Sequence, residues 1–210
     1  MTSALVPAET FLSFKELAGA YAEGVDYQIH LSVGLKPKIA VVAPHGGAIE
    51  PPTSRVAAAI AGREFSFYSF EGIRAADNYA ALHLRSVRFD EPRCLELISG
   101  CDHVVTVHGC KGVDQAVLLG GRDRALGVEI AAALGAEGIY CKLDGHKFYG
   151  SDASNICNRG RSKTGVQLEL TLTLRKSPEA VAGVVRAVRN VLLRLADAAG
   201  GPREPQAGVI

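Results

Sequence analysis

The sequence predicts one α/β domain in which helices flank an open, mixed parallel and antiparallel sheet. A chain of 210 residues is long enough for one domain with a sizeable core and too short for two comfortable ones. Its 48% hydrophobic and 21% charged residues are typical of a globular protein. Segments with strand periodicity alternate with segments of helical periodicity, an order typical of α/β folds. We assign residues 1–199 to a single domain and residues 200–210 to a flexible C-terminal tail.

The first third of the chain is predicted to contain two helices and two strands. They are a helix at 14–22, strands at 27–33 and 39–43, and a helix that ends near 61. Gly34-Leu35-Lys36-Pro37 turns the chain between the two strands, so we expect these strands to form an antiparallel hairpin. Thr53 or Ser54 follows two prolines and can cap the second helix.

Strands and helices continue to alternate through the middle of the chain. The predicted segments are strands at 65–70 and 85–89, a helix at 92–98, strands at 103–107 and 115–119, and a helix at 122–134. The strand at 85–89 has the weakest pattern. The helix at 122–134 places Leu126, Ile130 and Leu134 on one face, which indicates a helix that covers the core.

The segment 142–163 is rich in glycine, serine and asparagine and has no sustained periodicity. Loops of this length are usually functional or disordered. It contains two aspartates and five basic residues, and the basic residues are Lys142, Lys147, Arg159, Arg161 and Lys163. A cationic loop suits an anionic ligand, although the same composition is typical of a solvated surface loop. The clearest strand of the chain follows at 165–174, and an amphipathic helix at 177–198 covers the sheet.

Composition and charge exclude several classes of partner. The net charge of +1 favours none, and 6% aromatic residues without a long basic run argue against nucleic-acid binding. No apolar stretch is long enough to span a bilayer, and the N-terminal residues lack the features of a secretory signal. Five cysteines without a CxxC pair argue against a disulfide scaffold. We therefore expect a cytoplasmic monomer with reduced thiols that binds neither nucleic acid nor membranes.

The strongest functional motif is His45-Gly46-Gly47-Ala48-Ile49-Glu50, which follows the apolar strand at 39–43. Glycines let the backbone turn tightly, so side chains five positions apart can converge on one metal ion. His and Glu are ordinary zinc ligands, and a catalytic zinc site usually has three protein ligands. His108 is the best candidate for the third, because it follows the strand at 103–107 and ligands collect at the carboxyl ends of strands. Either histidine alone would more often be a structural or surface residue.

Glu169 lies on the polar face of the strand at 165–174. The alternation alone predicts an exposed acid on a half-solvated strand. Beside a zinc ion, however, a carboxylate held on a strand can accept a proton from water and pass it to a leaving amine. In the preceding loop, Asn155 and Asn158 could join Arg159 in clamping a substrate carboxylate.

Several motifs in a fixed order carry a resemblance to a known family. They are PHGGAIE at 44–50, YSFEG at 68–72, LH at 82–83, FDEP at 89–92, HGC at 108–110, NICNR at 155–159 and GVQLEL at 165–170. With these motifs the chain resembles the phage and bacterial poly-γ-glutamate hydrolases over residues 27–195. The resemblance implies a fold like that of a distant, minimal zinc carboxypeptidase, with an open mixed sheet flanked by helices. It also implies cleavage of γ-glutamyl bonds in a polyanionic capsule polymer.

The same resemblance implies roles for individual residues. His45, Glu50 and His108 would bind one zinc ion, and Glu169 would be the general base in hydrolysis of an amide bond by metal-activated water. Further residues of the pocket would stabilise the oxyanion or bind the carboxylates of a polyanionic peptide substrate. His83 would be a catalytic residue, and the substrate-binding residues would be Arg74, Asn155, Asn158 and Arg159. The spacing from His45 to Glu50 is longer than the His-x-x-Glu of carboxypeptidases proper, so the resemblance to those enzymes is looser.

Two other functions are compatible with these residues. One is an N-acyl amino acid deacylase akin to the aspartoacylases, for which we expect a small closed pocket rather than an open groove. The other is a non-catalytic, metal-free protein that binds an acidic polymer through the loop at 142–163. A cytoplasmic hydrolase would reach an extracellular polymer only after cell lysis or by export.

Overall fold

The computed structural model describes residues 7–200, with the side chains of residues 7–198. The strands are β1 (Tyr27–Ser32), β2 (Ile39–Gly47), β3 (Ser66–Gly72), β4 (His103–Cys110), β5 (Ala116–Gly121), β6 (Tyr140–Lys142) and β7 (Val166–Thr171). They form a 7-stranded sheet in the order β1-β3-β2-β4-β7-β5-β6. β1 with β3 and β5 with β7 are antiparallel, and the other neighbours are parallel. The predicted mixed sheet is confirmed.

Helices cover both faces of this sheet and divide the core in two. They are α1 (Phe14–Ala20), α2 (Thr53–Ala61), α3 (Asn78–Leu82), α4 (Pro92–Ser99), α5 (Arg124–Ala136), α6 (Leu172–Arg175) and α7 (Pro178–Gly200). On one face, α2, α5 and α7 bury residues such as Ile130 and Val188 against the strands. On the other face, α1, α3 and α4 bury residues such as Leu17 and Leu82. The predicted open sheet flanked by helices is therefore confirmed.

The predicted hairpin between the first two strands is wrong, because β3 lies between β1 and β2. Residues 34–37 do not fold back on β1; Leu35 instead donates its N–H to the carbonyl of Arg63 at 3.1 Å. Gly34 packs so closely beside the start of β3 that a Cβ there would lie 2.3 Å from the carbonyl carbon of Phe65. The crossover through α2 brings β3 parallel to β2, and β1 pairs with the free side of β3.

Some other elements also differ from the prediction. Residues 85–89 form a turn rather than a strand, with the Arg88 N–H donating to the Arg85 carbonyl at 2.7 Å. The predicted strand at 165–174 ends at Thr171, whose Oγ1 accepts from the Leu174 N–H and so caps α6. The sequence pattern does not predict β6, because its three residues are too few to show a periodicity.

Helix α2 begins where the sequence predicts, but not with the predicted cap. Its N-cap is Pro52, which makes no side-chain capping bond. Thr53 Oγ1 donates to the carbonyl of His45, and Ser54 Oγ accepts from the N–H of Gly47. These two hydroxyl groups therefore stabilise the turn between β2 and α2 instead of the helix end.

None of the helices within the described range is both long and apolar enough to cross a membrane.

The structure does not describe the whole of either end of the chain. Helix α7 includes Gly200, the first residue of the predicted tail, and residues 201–210 lie outside the described part of the chain. Residues 1–6, on which the prediction about a secretory signal depends, also lie outside it.

Three parallel strands end at the same edge of the sheet and bring predicted site residues together. β4 pairs in parallel with β2 on one side and with β7 on the other. His108 of β4 lies in register with Glu169 of β7, and His45 is near the end of β2. Because the carboxyl ends of parallel strands share an edge, residues far apart in sequence meet there.

Gly165, the residue before β7, tests how tightly the amino end of this strand is packed. A Cβ there would lie 2.0 Å from the Cys157 carbonyl oxygen and 2.7 Å from that of Val104. Backbone atoms cannot rotate away, so Gly165→Ala should lower the free energy of unfolding by about 2–4 kcal/mol in urea denaturation. The control is Gly127→Ala in α5, whose Cβ would meet only Leu143 at 3.6 Å. It should be neutral or stabilise by up to about 1 kcal/mol, and equal losses in both variants would contradict the packing argument.

Candidate metal centre and active-site cavity

His45 is positioned by its place in β2 and by a hydrogen bond to the far side of the site. Its side chain is buried, and Nε2 donates to the Leu84 carbonyl at 2.7 Å. Because a carbonyl can only accept, Nε2 carries a hydrogen, and Nδ1 is the ring nitrogen that faces the other groups of the site. Nδ1 lies 3.1 Å from His108 Nδ1 and 3.3 Å from Glu50 Oε2. A ring held in this way is typical of a metal ligand.

The glycine turn delivers Glu50 to the same point, as the sequence predicts. Gly47 has φ +59°, and a Cβ there would lie 2.5 Å from the Gly72 carbonyl oxygen, so the turn requires glycine. The Glu50 N–H then donates to the His45 carbonyl at 3.2 Å. The Glu50 carboxylate accepts from the Gly109 N–H through Oε2 at 2.8 Å, which joins the turn to the end of β4.

Two histidines compete for the role of third ligand. His108 Nδ1 lies 4.0 Å from Glu50 Oε2, while His83 Nε2 lies 3.0 Å from Oε1 of the same carboxylate. His45, Glu50 and His83 each have a ligand atom within 4.8 Å of the others and could hold a metal ion. The triangle formed with His108 has edges of 3.1, 3.3 and 4.0 Å. Tetrahedral metal sites with bonds of about 2.0–2.2 Å have ligands about 3.3–3.6 Å apart, so this triangle also fits a metal.

Burial and mutual contacts adjust the charges of this cluster. Burial raises the pKa of Glu50, but its interactions with His45, His83 and His108 outweigh burial and hold that pKa well below its usual range. Burial, with His45, lowers the pKa of His108 to about 3 and also lowers the pKa of His83. An anionic carboxylate beside neutral imidazoles is the protonation state that metal ligation requires. His108 Nε2 is buried without a hydrogen-bond partner among the described residues.

Glu169 lies on β7 next to this cluster and is buried rather than exposed. Gln167, two residues before it on the same face, donates from Nε2 to Glu169 Oε1 at 3.1 Å. Burial and the nearby Glu50 charge raise the pKa of Glu169 to about 8, although Arg175 and Lys147 oppose the shift. The alternation that predicts a half-solvated face is misleading here, because the loop at 142–163 contributes Lys147 to Gly150 to the wall over this face.

A cavity of about 930 Å³ contains the cluster and Glu169. Four of its cationic side chains are exposed and have no ion-pair partner among the described residues; we call Arg85, Lys111, Lys147 and Lys176 the cavity cations. Only Lys147 belongs to the basic loop singled out in the sequence. The other three follow α3, β4 and α6, and no long basic run or motif in the sequence marks them.

The structure places three of the four predicted substrate-binding residues away from the cavity lining. Arg74 forms an ion pair with Asp26 and lies over the Tyr21 ring, 5.1 Å from its centroid. Arg159 donates to the Phe89 carbonyl at 3.5 Å. Both guanidinium groups contact neighbouring segments rather than the cavity lining, so Arg74 is not in the predicted pocket and Arg159 does not join Asn155 in the predicted clamp.

The two asparagines have structural partners. Asn158 is saturated by four backbone groups, accepting from the N–H of Arg122 and Gly165 and donating to the carbonyls of Gly150 and Asp152. It therefore fastens the loop and has no atom left for a substrate. Asn155 does line the cavity, but its amide also contacts protein groups.

Arg175, which the sequence did not single out, connects the elements around the site. Its guanidinium donates to the carbonyls of Leu170, Pro51 and Cys110, which lie on β7, after the glycine turn and at the end of β4. A Cβ on Gly109 would lie 2.7 Å from Arg175 Cζ, so glycine lets the guanidinium lie against the strand. Arg175 thus joins all three ends on which the candidate ligands and Glu169 are placed.

Fold and site together define the class of this protein: an α/β protein with a candidate metal centre at the carboxyl edge of its sheet. The family model described as poly-gamma-glutamate hydrolase matches residues 11–178. The chain therefore belongs to the poly-γ-glutamate hydrolase family, which confirms the resemblance found in the sequence. It is 32% identical to the protein YndL of Bacillus subtilis over 184 residues, covering 80% of this chain and 71% of YndL.

Two solved structures extend the likeness to the fold. A structure of bacteriophage poly-γ-glutamate hydrolase matches with a TM-score of 0.83 and 26% identity, covering 90% of this chain and 99% of that one. A zinc-free structure of YndL matches with a TM-score of 0.78 and 26% identity, covering 88% and 98%. The fold is shared over 88–90% of this chain and 98–99% of the two solved structures.

The raised pKa of Glu169 predicts how the stability of the metal-free protein depends on pH. The folded chain binds a proton with a pKa of about 8, whereas the ordinary value is 4.5. This contribution to stability is complete below pH 4.5 and is lost as the pH rises through 8. Glu169→Gln cannot ionise, so at pH 9 it should stabilise the metal-free protein by on the order of 3 kcal/mol.

At pH 4 the same substitution should be nearly neutral, because both side chains are then uncharged. Chemical denaturation with a chelator present at both pH values measures the difference. A gain of equal size at pH 4 and pH 9 would show that ionisation of Glu169 is not its cause.

Proposed function

We propose that this protein is a zinc-dependent hydrolase that cleaves γ-glutamyl amide bonds of poly-γ-glutamate. The observation that carries the proposal is the cluster of His45, Glu50 and His108 beside a buried carboxyl group, Glu169, in one cavity. Membership of the poly-γ-glutamate hydrolase family supports the substrate class. The existence of a zinc-free form of YndL as a distinct structure supports zinc as the metal.

His45, Glu50 and His108 would hold one zinc ion. His, Glu and His are an ordinary ligand set for catalytic zinc, and both histidines lie on rigid strands. His83 would keep its contact with Glu50 Oε1 and orient the carboxylate, since metal ligands are commonly fixed by such outer contacts. When bound, zinc polarises the scissile carbonyl and makes water more acidic.

Glu169 would carry the proton of the reaction. Its carboxylate takes a proton from the attacking water, and the resulting acid gives that proton to the nitrogen of the leaving amine. A cation held by Glu50 would lower the pKa of Glu169 from its metal-free value of about 8 and so favour the carboxylate that accepts the proton. Burial of Glu169 also limits competing exchange with bulk water.

The cavity cations would bind the free carboxylates of the polymer. Poly-γ-glutamate has one carboxylate per residue beside its amide backbone, and Arg85, Lys111, Lys147 and Lys176 come from four separate segments around the cavity. Because no described carboxylate pairs with them, their charges are available to a ligand. The cationic surroundings thus favour a polyanion.

The size of the cavity favours a polymer over a single acylated amino acid. Its volume of about 930 Å³ is near the upper end of the roughly 300–1,000 Å³ of pockets that enclose drug-sized ligands. An N-acyl amino acid would fill only part of it. We therefore prefer the polymer to the deacylase substrate.

The ligand set is tested by metal content. His45→Ala and His108→Ala should each retain less than about one tenth of the zinc held by the parent protein after dialysis, because two protein ligands bind zinc far more weakly than three. His83→Ala should retain most of it. His30→Ala, an exposed histidine on β1, is the control and should not alter zinc content. Zinc lost from His83→Ala but kept by His108→Ala, measured by mass spectrometry, would make His83 the third ligand.

The substrate is tested with purified, zinc-loaded protein, poly-γ-glutamate and N-acylglutamate as the competing substrate. We expect the polymer to shorten, as followed by size-exclusion chromatography, while N-acylglutamate is hydrolysed much more slowly. Glu169→Gln should keep its zinc but lose about 10²–10⁴-fold in kcat, the usual contribution of general acid–base catalysis. Hydrolysis of N-acylglutamate alone would favour the deacylase, and polymer binding without any hydrolysis would favour a non-catalytic role.

A further inference from the structure

A chain of buried amide groups leads from a backbone N–H to Glu169. The Cys157 N–H donates to Asn155 Oδ1 at 3.1 Å, and Asn155 Nδ2 donates to Gln167 Oε1 at 2.9 Å. Gln167 Nε2 then donates to Glu169 Oε1 at 3.1 Å. The three side chains are between 4% and 7% exposed, so water competes little for these bonds. The chain ends at the carboxyl group to which the proposed function assigns proton transfer.

The direction of this chain is fixed at its start. The Cys157 N–H can only donate, so the oxygen of Asn155 must face it and the NH₂ group of Asn155 must face Gln167. Gln167 consequently turns its oxygen toward Asn155 and its NH₂ group toward Glu169. Reversing either amide would place two donors or two acceptors together and leave buried polar groups without hydrogen bonds.

Neighbouring backbone holds Gln167 in this place. Gly150, with φ +58°, lies over it so closely that a Cβ at position 150 would be 3.3 Å from Gln167 Cβ and Cδ. The 3-10 turn Ile156–Arg159, which begins after Asn155, is in turn fixed by a bond from the Ile156 N–H to the Ser86 carbonyl at 3.0 Å. The amides therefore have little freedom to rearrange.

The two oxygens of Glu169 are consequently not equivalent. Oε1 always faces a donor, whereas none of the described residues donates to Oε2. A proton on Oε1 would compete with that bond, because a hydroxyl oxygen accepts a hydrogen bond more weakly than a carbonyl oxygen. Oε2 is therefore the oxygen on which a proton leaves the amide chain undisturbed.

We propose that Asn155 and Gln167 are positioning residues that hold Glu169 by Oε1, so that Oε2 alone takes the proton from water and returns it to the leaving amine. An O–H bond of water breaks as Oε2–H forms and the water oxygen bonds to the scissile carbonyl carbon. Oε2–H then breaks as N–H forms and the C–N bond is cleaved, which leaves a carboxyl group and a free amine. The Glu169 carboxylate is thereby restored. The proposal rests on the proposed role of Glu169 and replaces the predicted substrate-binding role of Asn155.

The experiment compares two variants with a matched control in the zinc-loaded, full-length protein. Gln167→Leu removes the donor, and Asn155→Asp replaces the donating NH₂ group with an oxygen, which turns the Gln167 amide away from Glu169. Each should lower kcat about 10–100-fold, a part of the usual contribution of acid–base catalysis, with KM and zinc content within about 2-fold of the parent. Asn155 does not touch Glu169, so a matching loss there supports transmission through Gln167.

Thr106→Val is the control. Thr106 is on β4, in register with Gln167 of β7. It is fully buried, and its hydroxyl has no hydrogen-bond partner in the described part of the chain. The substitution removes a polar group at the same depth and should leave kcat unchanged. If Gln167→Leu and Asn155→Asp keep kcat within about 2-fold of this control, the proposal is overturned. Should one of the two fail to fold, the other gives the same comparison.

Combining Gln167→Leu with Glu169→Gln separates this proposal from the proposed function. Where Gln167 acts only through Glu169, the double variant should lose no more than about 2-fold beyond Glu169→Gln alone. A full additional loss would mean that Gln167 acts elsewhere and would overturn the positioning role. If Glu169→Gln itself keeps full activity, the assignment of the base fails, and the positioning role fails with it.

Discussion

Glu50 carries a negative charge into the interior of the protein, and the groups that compensate it define the geometry of the site. The residue is 6% exposed; Oε2 accepts from Gly109 and approaches His45, while Oε1 approaches His83. A buried carboxylate is tolerated only where neighbouring groups pair with it or donate to it. The turn after β2, the end of β4 and the segment after α3 must therefore meet at this one group. The convergence of residues distant in sequence is a consequence of that requirement.

Two carboxyl groups in the same cavity are shifted in opposite directions. Burial penalises the charge of both, but Glu50 has three imidazoles around it and stays ionised, whereas Glu169 has Glu50 as its neighbour and holds its proton up to a pKa of about 8. Because their pKa values are shifted in opposite directions, one carboxyl group can serve as an anionic ligand and the other can carry a proton. The charge on the first helps to raise the pKa of the second, so the two roles depend on each other.

The positive groups of the site also divide into two kinds. Arg175 donates from each of its three guanidinium nitrogens to a backbone carbonyl and holds the strand ends together. The cavity cations, by contrast, have no ion-pair partner among the described residues and surround the space that a substrate would occupy. A net charge of +1 conceals this arrangement, because paired charges elsewhere cancel in the sum. Local distribution, rather than total charge, is what suits the protein to an anionic ligand.

The family resemblance assigns Glu169 to the site, and the amino-acid pattern is otherwise enough to predict the α/β class, most helices and strands, and the meeting of His45, Glu50 and His108. These predictions follow from periodicity, from a glycine turn and from the rule that strand ends share an edge, which are local or general constraints. The packing of the whole chain places β3 between β1 and β2, brings four cations from separate segments to the cavity, and gives Arg74 and Asn158 structural partners. It also decided the shifted pKa values and the direction of the amide chain. Each depends on contacts between segments far apart in the chain, and such contacts have no local pattern.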